Sequence, residues 1–207
     1  MSLTALSAEP EDDRRIRILE AAERAFARHG FHAASMQIVA AEARMSAGNL
    51  YRYFSSKEAL VSGLAERDQA ELAEDFGRLE CAADMLGAMA ALLRKHLVES
   101  PVADCHLALE IWAEAGRNPS VAEVCHGIER EARRRLAALV RAPAEAAGLP
   151  PDFAVRVILT VTAGLFKRRA TERSFDGEAE ILLAVAIFRA LFGGAIRPEP
   201  LTGGAAP

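Results

Sequence analysis

The amino-acid sequence predicts an all-α protein in which a small N-terminal helical domain precedes a larger helical one. Apolar residues recur every three or four positions along most of the 207 residues, a spacing that places them on one face of a helix. Serine and aspartate, which begin helices, and glycine and proline, which end them, recur between these segments. No segment shows the strict apolar–polar alternation that is typical of a half-buried strand.

The N-terminal part of the chain predicts two short helices. Leu19, Ala22 and Phe26 form the apolar stripe of the first helix, because they are three and four residues apart. Gly30 can end this helix in a left-handed conformation. Ser35 can cap a second helix with the sequence "SMQIVAAEA".

A third short helix and a longer fourth helix follow. Ser46 can cap the third helix, "AGNLYRYF", in which Leu50 and Phe54 are four residues apart and predict a buried underside. Ser55 and Glu58 are three residues apart, which is typical of a capping box and predicts the start of the fourth helix.

The rest of the chain predicts further helices separated by glycine and proline, with Pro101 and the Pro150-Pro151 pair among the breaks. The last two helices, at residues 152–169 and 176–192, carry apolar residues on almost every face. A helix on the surface of a monomer needs a polar side. They are therefore either central helices or a surface that meets a second copy, and we favour a homodimer through these two helices because they close the chain.

Composition limits the class of protein. With 51% hydrophobic and 26% charged residues, the chain is expected to be a soluble globular protein. Its longest apolar run, Ile181–Phe188, is far shorter than the ~20 residues of a membrane helix, and no secretory signal is recognisable at the N-terminus. We expect no membrane association and a cytoplasmic location. The three cysteines are irregularly spaced, so neither disulfides nor a metal or other cofactor is expected.

The charge is unevenly distributed along the chain. The net charge is −4, yet residues 14–57 hold eight lysines and arginines against three acidic residues. A short basic segment within an acidic protein is typical of a module that contacts phosphates.

The spacing of the three short helices predicts a helix-turn-helix. Its third helix would lie in a major groove of DNA with Asn49, Arg52 and Tyr53 facing outward and Tyr51 at the flank. The two tyrosines, which are the only ones in the chain, can each donate a hydrogen bond to a phosphate beside the groove-directed arginine. The alternative is that both are half-buried packing residues.

The stretch "SMQIVAAEARMSAGNLYRYFSSKEAL", residues 35–60, resembles the DNA-binding signature of the TetR family of bacterial transcriptional repressors. The resemblance covers about 45 residues from Arg14 onward. Two positions depart from the family pattern, since Arg44 stands where glycine often makes the turn and Asn49 stands where threonine is common.

The resemblance implies a set of DNA contacts. Ser35, Tyr51, Tyr53 and Lys57 are expected to bind phosphates, together with the backbone near Gly48. Gln37, Asn49 and Arg52 are expected to read base edges, because arginine pairs well with guanine and asparagine or glutamine with adenine. Ser46, at the start of the recognition helix, completes the predicted contact surface on a double-stranded operator.

The resemblance also implies a C-terminal domain that senses a small-molecule effector and changes the separation of two recognition helices in a dimer. Apolar residues with polar tips are the candidates for its pocket. The candidates are Met85, Met89, His96, Cys105, Trp112, Cys125, His126 and Phe166. The alternative for each is an ordinary packing role. Glu110 and Glu114 can in principle read a cationic ligand, although a solvated helix face is the simpler interpretation.

These expectations divide the chain into a disordered arm at 1–13, a DNA-binding domain at 14–60, a sensing and dimerisation domain at 61–195 and a flexible tail at 196–207. The Cys105-His106 and Cys125-His126 pairs leave open a redox- or metal-responsive regulator of the same fold. An all-α enzyme is a weaker alternative, because no catalytic constellation is present. A helical interaction module that binds acidic partners is the third alternative.

Overall fold

The computed structural model describes residues 11–198, and every regular element within that range is helical, which confirms the all-α prediction. The predicted arm and tail lie outside the described residues at positions 1–10 and 199–207. The helices are α1 (Glu11–Ala33), α2 (Met36–Glu42), α3 (Ala47–Tyr53), α4 (Lys57–Glu80), α5 (Met85–Arg94), a π-helix (Lys95–Glu99), α6 (Val102–Ala115), α7 (Pro119–Ala146), α8 (Pro151–Thr171) and α9 (Gly177–Phe192).

The described chain forms two compact units. The first consists of the chain up to Ala70 together with Ala103–Ile128, and the second consists of Glu71–Val102 together with the chain from Glu129 onward. Residues 103–128 pack with the N-terminal helices because Leu107 and Val121 are buried in the same core. The predicted boundary at residue 60 falls inside α4, within the first unit.

The start of α1 differs from the prediction. The sequence predicts Glu11, Asp12 and Asp13 to lie in a disordered arm, whereas they form the first turn of the helix. Three carboxylates at a helix N-terminus interact favourably with the positive end of the helix dipole, which accounts for the earlier start. At the other end, Gly30 interrupts the helix with φ 74° and ψ 155°, and the chain returns to helical conformation as far as Ala33.

The core of the first unit is built around two phenylalanines. Phe26 and Phe31 are buried, and their ring centroids lie 5.2 Å apart. A β-carbon at Gly63 of α4 would lie 2.8 Å from the Phe54 ring and 2.9 Å from the Leu19 side chain. Glycine therefore allows α4 to approach the end of α3 closely, and this packing fixes α3 on the unit.

The second unit has its own core, formed by the buried sides of α5, α8 and α9 with parts of α4 and α7. Its fully buried side chains include Leu97, Ile181, Phe188 and Leu191. Within residues 11–198 no single helix is long and apolar enough to cross a membrane; only α7 and α8 taken together, as a bent pair, reach that length and composition.

Candidate nucleic-acid interface

Two serine caps define the starts of the two helices of the helix-turn-helix. Ser35 Oγ accepts a hydrogen bond from Ile38 N, and Ser46 Oγ accepts one from Asn49 N, both over 3.2 Å. Both predicted caps are confirmed. Because each hydroxyl oxygen is used as an acceptor, each hydroxyl hydrogen can be donated outward to a phosphate oxygen.

The turn between α2 and α3 contains an unusual backbone conformation. Arg44 has φ 56°, and it is the only residue other than glycine with a positive φ among those that the structure describes. The turn is held by hydrogen bonds from Arg44 N to Ala41 O (3.0 Å) and from Met45 N to Ala40 O (2.9 Å). Arginine thus adopts the left-handed conformation that glycine adopts more easily.

The buried underside of α3 is confirmed. Leu50 is 0% and Phe54 is 2% exposed. The Arg15 guanidinium carbon lies 4.6 Å from the centroid of the Phe54 ring, so a side chain of α1 packs on the residue that ends α3. A short helix that is held at Leu50 and Phe54 presents its remaining face in a fixed orientation.

The side chains on that face of α3, together with Gln37 of α2, are polar, and most of them are exposed. Tyr51 is 48% exposed, Arg52 and Gln37 are exposed, and Asn49 is partly buried. A β-carbon at Gly48 would meet nothing within 4 Å. The backbone there is consequently open to the close approach of a phosphate, as the resemblance implies.

The position of Tyr53 differs from the prediction, which places its side chain on the outward face of α3. Its side chain is half-buried against the core of the first unit, and its hydroxyl accepts a hydrogen bond from Arg14 Nη1 over 3.2 Å. Tyr53 lies three residues after Leu50, so it shares part of the buried face of α3. Sequence spacing did not identify Arg14 as its partner, although the clustering of arginines at the start of α1 was a signal.

Lys57 has partners that sequence reasoning did not find. Its Nζ donates to Phe31 O over 2.7 Å and to His32 O over 3.1 Å, and it lies 4.7 Å from the centroid of the Phe31 ring. An ammonium group has three N–H donors. Lys57 therefore joins the start of α4 to the end of α1, and its contact with phosphate stays a prediction.

The cap of α4 was predicted one residue too early. Ser56, rather than Ser55, accepts the hydrogen bond from the first turn, with Ser56 Oγ 3.1 Å from Ala59 N. Glu58 lies in this turn, and its pKa is held below the usual 4.5, first by a backbone hydrogen bond and then by the Ser56 hydroxyl, with a smaller contribution from Asn118. The carboxylate form of Glu58 is therefore the stable form in the folded chain.

Basic side chains extend beyond the helix-turn-helix. An open depression beside α2 is lined by Arg17, Arg24 and Arg44, with Glu42 as its acidic neighbour. Glu42 partly neutralises it, since its carboxylate pairs with Arg24 and Arg28. The predicted basic character of the N-terminal segment is thus concentrated around α1 and α2.

Four of the predicted effector contacts belong to the second unit. Met89 is buried, Met85 is half-buried, and the rings of His96 and Phe166 lie 6.2 Å apart. His96 lies in the π-helix, a rare element that often occurs at functional sites. The structure therefore brings His96 and Phe166 together.

An ionic cluster adjoins His96. The Asp75 carboxylate is 3% exposed and accepts hydrogen bonds from Lys95 Nζ over 2.9 and 3.0 Å, while His96 Nε2 lies 3.4 Å away. Burial alone would lower the pKa of Lys95, but hydrogen bonds from its ammonium group to Glu71 and Asp75 hold that pKa above its ordinary value. Lys95 therefore stays charged and compensates the buried carboxylate.

The other four predicted effector contacts belong to the first unit. Trp112 is 46% exposed and His126 is also exposed, whereas Cys105 is buried and Cys125 is half-buried. Burial raises the pKa of the Cys125 thiol, which disfavours its reactive thiolate form. Among residues 11–198 there is no group of three His, Cys, Asp or Glu side chains with the geometry of a metal site.

Known proteins match both parts of the chain. The model described as "Bacterial regulatory proteins, tetR family" matches residues 18–64, and the model described as "BetI-type transcriptional repressor, C-terminal" matches residues 82–193. The HTH-type transcriptional regulator UidR of Escherichia coli strain K12 is 30% identical over 192 residues, which cover 87% of this chain and 91% of UidR.

Solved structures agree with this assignment. Salmonella enterica GusR is 27% identical with a TM-score of 0.74, over 90% of this chain and 98% of that one. The fatty acid degradation regulator FadR from Bacillus halodurans shows the same fold at 20% identity, with a TM-score of 0.74 over 90% and 98% of the two chains. UidR and FadR are described as regulators, and the relatives do not favour the alternative functions. The chain belongs to the TetR family of bacterial regulatory proteins and is a DNA-binding transcriptional regulator.

Proposed function

We propose that the protein is a homodimeric repressor whose two α3 helices enter successive major grooves of an operator, and that a small-molecule effector releases it. The observation that carries the DNA-binding part is the anchored α3. Leu50 and Phe54 fix its underside, while Tyr51 and Arg52 remain exposed on the other face. Two half-sites about 34 Å apart suit a rigid pair of recognition helices. The match of residues 82–193 to a repressor C-terminal model supports repression over activation.

The apolar surface of α9 supports dimerisation through the last two helices. Leu182 is 70% exposed and Leu183 is 51% exposed, and Ala186 lies on the same side of the helix. On α8 the exposed positions include Thr160 and Gly164, which are small enough to allow close helix packing. Exposed leucines next to small residues are typical of a surface that a second copy covers.

The second unit supports an effector site near the His96 and Phe166 rings. Two aromatic rings provide an apolar surface, and the neighbouring Lys95 and Asp75 provide charged groups that can orient a polar ligand. Met85 and Met89 pack in the same unit and can adapt to a ligand of irregular shape. The remaining candidates stay predictions.

Selection of duplexes from a random library by the purified protein tests this function. Specific sites should be palindromic and should bind about 10³-fold or more tightly than random DNA. Affinity should fall with rising salt, because phosphate contacts release counterions. A protein that enriches no sequence, or that binds random DNA equally well, would contradict the proposal.

A further inference from the structure

The break in α1 at Gly30 is held by two side chains that come from far away in the sequence. Glu110 of α6 accepts a hydrogen bond from Phe31 N at Oε2 over 3.0 Å. Lys57 of α4 donates to Phe31 O and to His32 O. The Phe31-His32 dipeptide is therefore held from two sides. A side chain of α6 binds the Phe31 N–H group, and a side chain of α4 binds both carbonyl oxygens.

The conformation of the break requires glycine at position 30. Gly30 has φ 74° and ψ 155°, a backbone region that only glycine adopts without strain. A β-carbon there would also lie 3.1 Å from Glu110 Oε2. The carboxylate occupies the space that glycine leaves, and it accepts a hydrogen bond from an amide of the break.

A second polar contact joins the same region of α6 to α4. Asn118, which follows α6, donates from Nδ2 to Glu58 Oε1 over 3.1 Å and to Glu114 Oε1 over 3.3 Å. Glu114 is 6% exposed, so this contact is shielded from water. All of these residues belong to the first unit, which means that α6 is part of the framework on which α2 and α3 rest.

We propose that Glu110 is a positioning residue for operator recognition, acting through the break in α1. Phe31 is 2% exposed and packs on Phe26, and only three residues lie between it and Ser35, the cap of α2. A shift of Phe31 therefore moves the start of α2 and the helix-turn-helix that follows it. This inference rests on the proposed function, since it concerns how the same DNA-binding surface is oriented.

The sign of the charge makes the inference testable. Glu110 adds a negative charge to a unit that faces phosphates, so electrostatics alone predicts that its removal strengthens DNA binding. If Glu110 positions the helix-turn-helix, its removal should instead weaken binding to the selected operator and change binding to random DNA little. A carboxamide in place of the carboxylate can still accept from Phe31 N through its oxygen, so Glu110→Gln should preserve recognition.

The experiment compares Glu110→Ala, Glu110→Gln and the control Glu20→Ala, which removes an exposed carboxylate from α1 of the same unit. Affinity is measured in the full-length protein for the duplex that the unaltered protein selects and for random duplex DNA, at several salt concentrations. Glu110→Ala should lower the operator-to-random preference about tenfold, the scale of one lost charge-assisted hydrogen bond. The salt dependence of its affinity for random DNA should be unchanged. Glu110→Gln and Glu20→Ala should stay within about threefold of the unaltered protein, which is below ~1 kcal/mol.

Hydrogen exchange gives an independent readout. The Phe31 amide should exchange faster in Glu110→Ala but not in Glu110→Gln. Should Glu110→Ala fail to fold, Glu110→Asp keeps the charge, shortens the reach by one methylene and should show the same loss of preference. If Glu110→Ala, or Glu110→Asp in its place, keeps its preference while its melting temperature falls, the contact is only structural and the inference is overturned. If the unaltered protein selects no duplex, the proposed function itself fails and this inference falls with it.

Discussion

Arg14 at the start of α1 and Tyr53 at the end of α3 are joined by a hydrogen bond in which Arg14 Nη1 donates to the Tyr53 hydroxyl over 3.2 Å. The phenol oxygen is used as an acceptor, so its hydrogen remains available for a phosphate. The guanidinium also adds positive charge at the same point of the surface. The two side chains can therefore bind one phosphate together.

A double-mutant cycle on these two residues tests the joint contact. Tyr53→Phe and Arg14→Ala should each weaken operator binding several-fold, and the double variant should lose less than the sum of the two free energies, with a coupling of about 0.5–3 kcal/mol. Fluorescence anisotropy with a labelled operator measures all four affinities. Arg28→Ala removes the same charge from α1 and serves as the control. Additive losses would show that the two residues act separately.

The left-handed backbone conformation of Arg44 predicts a stabilising substitution. The left-handed conformation costs a residue with a side chain about 1–2 kcal/mol, and glycine avoids most of this while losing about 0.5–1 kcal/mol of chain entropy. Arg44→Gly should therefore raise the free energy of unfolding by up to about 1 kcal/mol and the melting temperature by a few degrees. Arg44→Ala removes the guanidinium but keeps the β-carbon, so it should not stabilise. Equal melting temperatures for the two variants would contradict a backbone origin.

Lys57 and Arg52 should respond differently to truncation. Lys57→Ala removes two hydrogen bonds to the end of α1, so the melting temperature and the affinity for all DNA sequences should both fall. Arg52 is exposed, and Arg52→Ala should leave the melting temperature unchanged while it relaxes preference at one base pair by about 1–3 kcal/mol. Repeating the duplex selection with each variant separates the two effects. Unchanged preference in Arg52→Ala would remove it from the base-reading set.

The exposed leucines of α9 predict the oligomeric state. Leu182→Arg places a charge on a surface that a second copy is expected to cover, so the variant should sediment as a monomer and bind the palindromic operator far more weakly. Val102 is 44% exposed and lies outside the last two helices, so Val102→Arg is the matched control and should remain dimeric. A dimer in both variants would place the interface elsewhere.

Acid should weaken the start of α4 through Glu58. Its pKa is lowered by folding, so its contribution to stability is present above the unfolded pKa of about 4.5 and is lost as the pH falls through the lower folded value. The melting temperature of Glu58→Gln should lie below that of the unaltered protein at pH 6, and the gap should narrow towards pH 3. A gap of the same size at pH 6 and at pH 3 would contradict this role of the Glu58 carboxylate.

Local features of the helix-turn-helix could be predicted from the sequence. Ser35 and Ser46 each cap the helix that begins at the next residue, and such caps depend on residues three positions apart. The buried positions of Leu50 and Phe54 follow from the helical period alone. These interactions join residues that are close in sequence, so residue type and spacing are enough to predict them.

Other features depended on choices that local spacing leaves open. Ser55 and Ser56 are adjacent, and the structure uses Ser56. The spacing favours a solvated face for Glu114, which is wrong, because this side chain is 6% exposed and accepts a hydrogen bond from Asn118. The two partners of Lys57 lie 26 and 25 residues away along the chain, and the partner of Glu110 lies 79 residues away. Such distant backbone contacts leave no periodic pattern in a sequence.

The geometry at Gly30 has an evolutionary consequence. Any replacement with a β-carbon would strain the backbone and press on the carboxylate of Glu110. Among descendants of this gene, a lineage that loses the glycine should also lose the acid, and one that keeps the glycine can keep either glutamate or glutamine. Positions 30 and 110 should therefore change in concert.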